Sequence, residues 1–79
     1  MKNYKIVVTG KNGIFDPAGE TSKNALRNLG YDGVESLRIG KYVELETQDD
    51  VTGAQVEEMC EKLLANPVIE DYRIEVVQP

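Results

Sequence analysis

The spacing of apolar residues switches repeatedly between a period of two and one near 3.6, and the order of those switches restricts the fold more than any single motif. Residues 4–9 alternate, with Tyr4, Ile6 and Val8 on one face and Lys5, Val7 and Thr9 on the other. Residues 34–39 and 42–47 alternate again on either side of Gly40-Lys41, and residues 69–77 close the series with Tyr72, Ile74 and Val76 against Arg73, Glu75 and Val77. Between these runs lie two helical patterns. The predicted order is strand, helix, strand, strand, helix, strand.

The first helix is expected to start at Asp16-Pro17. An aspartate can accept backbone N–H bonds as a cap, and proline suits the first helical position. It is expected to stop at Gly30, a glycine placed for a left-handed C-terminal cap, with Glu20 early and Arg27 late matching the helix dipole. Its inward face is weak: Leu26 and Leu29 with Ala18, Ser22 and Ala25. The second helix has the stronger stripe, formed by Val56, Met59, Leu63 and Leu64. Thr52 and Gln55 form a capping-box pattern at its start, and Pro67 sets its end by Asn66. Glycine first in the Gly40-Lys41 connection is a type II′ hairpin signal. Leu37, Ile39, Val43 and Leu45 would then face the helices, leaving Arg38, Tyr42, Glu44 and Glu46 on the opposite side. The expected fold class is α+β: a ferredoxin-like split βαβ (βαββαβ), with a four-stranded antiparallel sheet and two helices on one face. Such a fold settles nothing about activity.

At 79 residues the chain is expected to be a single domain, residues 1–79, and a core of this size is marginal without partners. Nine Lys and Arg against fourteen Asp and Glu give a net charge of -5. That balance disfavours nucleic acid, because an acidic surface repels phosphodiesters. No apolar run approaches a membrane span, and the N-terminal residues lack a signal-peptide layout, so a cytoplasmic location is expected. The single Cys60 fits a reducing compartment.

The glycines and lysine of Gly10-Lys11-Asn12-Gly13, between a strand and a helix, invite comparison with phosphate loops. The spacing matches neither the Walker pattern nor the dinucleotide fingerprint. Asp16 would also put a carboxylate where an anion must sit. The chain contains no histidine, which removes the usual general base and the commonest metal ligand. Cys60 reads as a core residue, and Glu57, Glu58 and Glu61 as a solvated helix face. No catalytic, cofactor-binding or metal site is expected in this chain.

The segments GIFDPAG, ALRNLGYDGVESLRIGKYVELE and VEEMCEKLLANPVIEDYRIEV, in this order, resemble the PurS family over residues 5–77. The most specific matches are DP-x-G (Asp16, Pro17, Gly19), LGY, R-x-GK and LLANPVIEDY; the polar stretch TQDDVTGAQ is a mild departure. The resemblance implies a non-catalytic subunit of the three-component phosphoribosylformylglycinamidine (FGAM) synthase of purine biosynthesis, an ATP-dependent carbon-nitrogen ligase with glutamine as amide donor. As a homodimer it would bridge the glutaminase subunit PurQ and the synthetase subunit PurL and support ammonia transfer. ATP, magnesium and glutamine would belong to the complex. Candidate interface residues are Arg38, Lys41 and Tyr42 at the hairpin and Asn66, Pro67, Val68 and Ile69 at the following turn, since arginine and tyrosine are enriched in interface hot spots. The competing reading gives these residues only structural work, like that expected of Asp16, Pro17, Gly19, Gly30 and Gly40. An autonomous small-ligand sensor of ferredoxin-like fold is the alternative function.

Overall fold

The computed structural model describes residues 1–77. Three strands, β1 (Lys2–Gly10), β2 (Lys41–Thr47) and β3 (Glu70–Val77), form an antiparallel sheet in the order β2-β1-β3. The register sets Ile6 opposite Val43 on one side and Ile74 on the other. Tyr4, Ile6 and Val8 are buried on one face, as the alternation of β1 requires. The helix α2 (Gly53–Met59) covers that face, and its Val56, together with Cys60 and Ala65, completes the core.

The start of α2 follows its sequence. Thr52 accepts from the Gln55 N–H at 3.2 Å, and the Gln55 side chain accepts from the Thr52 N–H at 2.9 Å. Its second half departs from expectation. Residues Cys60–Leu64 widen into a π-helical turn, which the Ala65 N–H closes on the Cys60 carbonyl at 2.9 Å. Burial accordingly follows Val56 and Cys60, with Leu64 half-buried, and Leu63 is turned out to 81% exposure. Cys60, expected at the edge of the stripe, sits in the core.

The helix α1 (Pro17–Asn28) has the caps its sequence encodes. The Asp16 carboxylate accepts from the Gly19 N–H at 3.0 Å, with Pro17 at the first helical position. At the far end Gly30 takes a φ of 105°, while the Tyr31 N–H bonds the Leu26 carbonyl and the Gly30 N–H bonds that of Arg27. This left-handed cap needs glycine.

Where α1 lies is the main correction. Its one buried residue is Gly19, and Leu29 near its end is 74% exposed. Residues 34–39 join no sheet ladder among the described residues, so three strands stand where four were expected, and no hairpin turns at Gly40-Lys41. Local contacts explain this. The Arg27 Nε donates to the Val34 carbonyl at 3.0 Å, and the Ile39 N–H donates to Asp16 at 2.9 Å. The Gly19 backbone is pressed so near the Leu37 carbonyl that an added Cβ would lie 2.4 Å from it. These contacts hold residues 34–39 to α1, not to the edge of β2. Together they form an arm, and the structure extends 50 Å with a radius of gyration of 16.0 Å. A compact chain of this length would have a radius of gyration of about 12 Å.

Gly40 serves a different purpose from the one its turn signal implies. Its φ is not positive. It lies against β1, where a Cβ would meet the Val8 carbonyl oxygen at 2.1 Å.

Candidate partner-binding end

The pairs Val8↔Lys41 and Gly10↔Glu70 place the end of β1 beside the starts of β2 and β3. Everything that joins the strands there is gathered at one end of the sheet. The loop after β1 is pinned to the turn before β3 by the Lys11 N–H, which donates to the Ile69 carbonyl at 2.9 Å. Gly13, at a φ of 84°, lets the loop reverse, and the Ile14 N–H closes it on the Lys11 carbonyl.

Asp16 joins this loop to the arm. One carboxylate oxygen caps α1 and the other receives the Ile39 N–H. The Ile39 N–H, and after it that of Gly19, hold the Asp16 carboxyl below the usual aspartate range. Arg38 reaches back over the loop, and its Nη1 donates to Asn12 Oδ1 at 3.3 Å. Lys11, Asn12, Phe15, Arg38, Ile39 and Ile69 line a shallow concavity of about 210 Å³. Its surroundings are apolar: Ile14, Ile39 and Ile69 are exposed, Phe15 is 73% exposed and Val68 77%.

The candidate residues separate accordingly. Arg38 and Ile69 line the concavity, and Pro67 and Val68 stand exposed on the adjoining turn. Asn66 is engaged in shaping that turn, its Oδ1 accepting from the Val68 N–H at 3.1 Å and its own N–H donating to Glu70 at 2.7 Å. Lys41 donates from Nζ to the Leu64 carbonyl at 2.8 Å, closing the end of the π-helical turn. Tyr42 lies on the far face of the sheet opposite Val7, exposed and apart from the concavity.

Phe15 and Ile14 were not anticipated. The signal was available: Phe15 precedes the Asp16 cap, where an apolar residue usually packs against the fourth helical position, and that position is the polar Glu20. Phe15 therefore has no staple partner and remains exposed.

Two titratable groups lie beyond this end. Burial, followed by Glu61 and Glu57, pushes the Cys60 thiol up, which leaves it a poor nucleophile. Tyr72 donates its hydroxyl to Glu61 at 2.7 Å, and that bond pushes the phenol up to about 12. Among the described residues no group of three or more His, Cys, Asp or Glu side chains could hold a metal ion. No helix among them is long and apolar enough to cross a membrane.

Residues 3–78 match the PurS family model, described as phosphoribosylformylglycinamidine (FGAM) synthase. The chain belongs to the PurS family. The PurS subunit of Bacillus subtilis FGAM synthase is 49% identical over 78 residues, covering 96% of this chain and 93% of that one. That of Methanocaldococcus jannaschii is 40% identical over 80 residues, covering 96% and 95%. Among solved structures, B. subtilis PurS superimposes with a TM-score of 0.88 at 48% identity, covering 99% of this chain and all of that one. A chain in the structure of PurLQS from Thermotoga maritima matches with a TM-score of 0.80 at 33% identity, covering 96% of each. Both structures therefore share this chain's overall fold.

Proposed function

We propose that this PurS chain is the coupling subunit of FGAM synthase in purine biosynthesis: a homodimer that joins the glutaminase to the synthetase so that ammonia passes between them. The complex would use ATP, magnesium and glutamine in the cytoplasm to convert formylglycinamide ribonucleotide into formylglycinamidine ribonucleotide. The observation that carries the reading is the match, over nearly the whole chain, to a subunit found in a PurLQS structure.

The loop end supports it. Arg38, Val68 and Ile69, with Phe15, place a guanidinium and an aromatic ring among branched apolar groups on one exposed end, and arginine and aromatic residues are enriched in protein interfaces. Pro67 adjoins them, and Tyr42 offers a separate contact on the open sheet face. Lys41 and Asn66 serve by holding β2 and the turn in place. A sealed assembly raises the effective concentration of ammonia, which bulk water would protonate. This function needs complementary surfaces, not acids and bases.

The test is glutamine-dependent amidine formation by purified synthetase and glutaminase, with and without this chain, beside an ammonia-dependent control. The expected result is restoration of the glutamine reaction only, with ammonia used equally well in either case. No effect on the glutamine reaction would refute coupling.

A further inference from the structure

At the loop-end concavity the carboxylates are committed and the cations are not. Asp16 accepts from the Gly19 and Ile39 N–H groups, and Glu70 accepts from that of Asn66. Arg38 has only the Asn12 Oδ1 at 3.3 Å, just outside the usual range of about 2.7–3.2 Å. The Lys11 side chain makes no hydrogen bond or ion pair among the described residues, whose ion pairs, Met1 with Asp49 and Lys23 with Glu20, lie elsewhere. Glu61, Glu70 and Asp71 share a neighbouring hollow with Lys11, which leaves Arg38 as the principal cation of the concavity. In a chain of net charge -5, this end therefore offers an anion a guanidinium with most of its donors unused.

The size of the site narrows the anion. The concavity measures about 210 Å³, whereas pockets that enclose a small-molecule ligand run to about 300–1,000 Å³. It has room for one acidic side chain, not for a nucleotide. Exposed Ile14, Phe15, Val68 and Ile69 surround it, and a protein segment laid over them would exclude water from an ion pair at Arg38. A pair so covered is stronger than one left in water. The backbone is already set for the contact, because the Lys11 N–H bond to Ile69 and the Ile14 N–H bond to Lys11 hold the loop.

We propose that this concavity receives one aspartate or glutamate side chain of a partner subunit of FGAM synthase, carried on a segment with an apolar residue beside it. The proposal rests on the coupling reading above and specifies the chemistry of its contact. The carboxylate takes two guanidinium N–H groups of Arg38 side by side and displaces the long bond to Asn12. The neighbouring apolar residue packs on Phe15 and Val68. Lys11, on the rim, adds attraction at a distance, which an otherwise acidic chain needs to meet an acidic segment.

The test follows assembly of this chain with the purified synthetase and glutaminase by sedimentation, at about 10 mM and about 150 mM salt. Wild type is compared with Arg38→Gln, Arg38→Glu and Arg38→Lys, each checked for folding by circular dichroism. The expected result is that wild-type affinity falls with salt and Arg38→Gln weakens assembly about tenfold or more, with a flatter salt dependence. Arg38→Glu should be weaker again, and Arg38→Lys should retain part of the affinity. Wild-type affinity in Arg38→Gln would overturn the proposal, as would equal losses in Arg38→Gln and Arg38→Glu. Wild-type assembly that does not weaken with salt would overturn it without recourse to any variant. Inorganic phosphate bound by the chain at submillimolar concentration, and lost in Arg38→Gln, would assign the site to a phosphorylated ligand and overturn the carboxylate contact. Assembly through Arg38 that fails to restore the glutamine reaction would refute coupling and leave the carboxylate contact standing.

Discussion

Replacing Gly40 by alanine separates two accounts of that residue. If it only closed a hairpin, a glycine would be needed for its left-handed φ, and asparagine would be a fair substitute. The structure instead gives Gly40 an ordinary φ and sets it against β1, where an added Cβ would lie 2.1 Å from the Val8 oxygen and 3.2 Å from the Thr9 Cγ2. The Val8 oxygen belongs to the central strand, which is bonded on both sides and cannot give way cheaply. The strands must part there by roughly 1 Å, an overpacking cost of about 1–3 kcal/mol. The weakened ladder bond beside Lys41 adds about 1 kcal/mol. The expected loss is about 2–4 kcal/mol, out of a total stability of about 4–12 kcal/mol for a chain of this length. At about 4–8 °C per kcal/mol, Tm should fall by at least about 8 °C in calorimetry at fixed protein concentration. Gly40→Asn should do no better. Gly53→Ala is the control, because nothing lies within 4 Å of its added Cβ, and it should gain about 0.4–1 kcal/mol. A Gly40→Ala Tm within about 2 °C of wild type would refute the close-approach argument.

Other outcomes follow from the same structure. Thr52→Ala should cost about 1 kcal/mol in denaturant unfolding through loss of the capping box. Ile6→Ala, in the fully buried centre of β1, should cost about 2–5 kcal/mol by the same assay. Arg38→Ala should change Tm little, since it gives up only an exposed 3.3 Å bond to Asn12, yet weaken assembly with the synthetase and glutaminase in pull-down; unfolding would mark it as structural. Because folding raises the Tyr72 phenol from 10.0 to about 12, its contribution is complete below pH 10 and lost as pH climbs toward about 12. Ultraviolet titration should show that late tyrosine, and Glu61→Ala, which removes the acceptor, should bring it back toward 10.0. The Asp16 carboxyl is lowered, so its hold on the arm is present above the ordinary aspartate range and fades as pH falls below it. Protection of the Ile39 amide, taken relative to its intrinsic exchange rate at each pH, should fall in that acid range.

Local chemistry was legible wherever a few neighbouring residues decide the outcome. The Asp16-Pro17 start and Gly30 stop of α1, the Thr52-Gln55 box and the two faces of β1 all stand as their residues dictate. The alternation of residues 34–39 was real, but alternation does not specify a ladder partner. Asp16 and Arg27 supplied other bonds and kept the segment on α1. In α2 the spacing of Leu63 assumed a uniform 3.6-residue turn, and the π-helical widening at Cys60 rotated it outward. The loop end was half visible. Arg38 and Ile69 were named from residue type, whereas the exposed Phe15 required noticing that Glu20 offers it no partner.

Periodicity and capping set which residues form strands and helices, because those choices rest on contacts within one turn or one pleat. Family membership was legible in the same way, through motifs spread over the whole length. Where the arm points, which edge of β2 stays open and which side chains meet at the loop end depend on competition between contacts distant in the chain. Only the assembled tertiary structure decides that competition. Here the local hold of Asp16 and Arg27 on residues 34–39 prevailed over the expected hairpin, and it left the outer edge of β2 open.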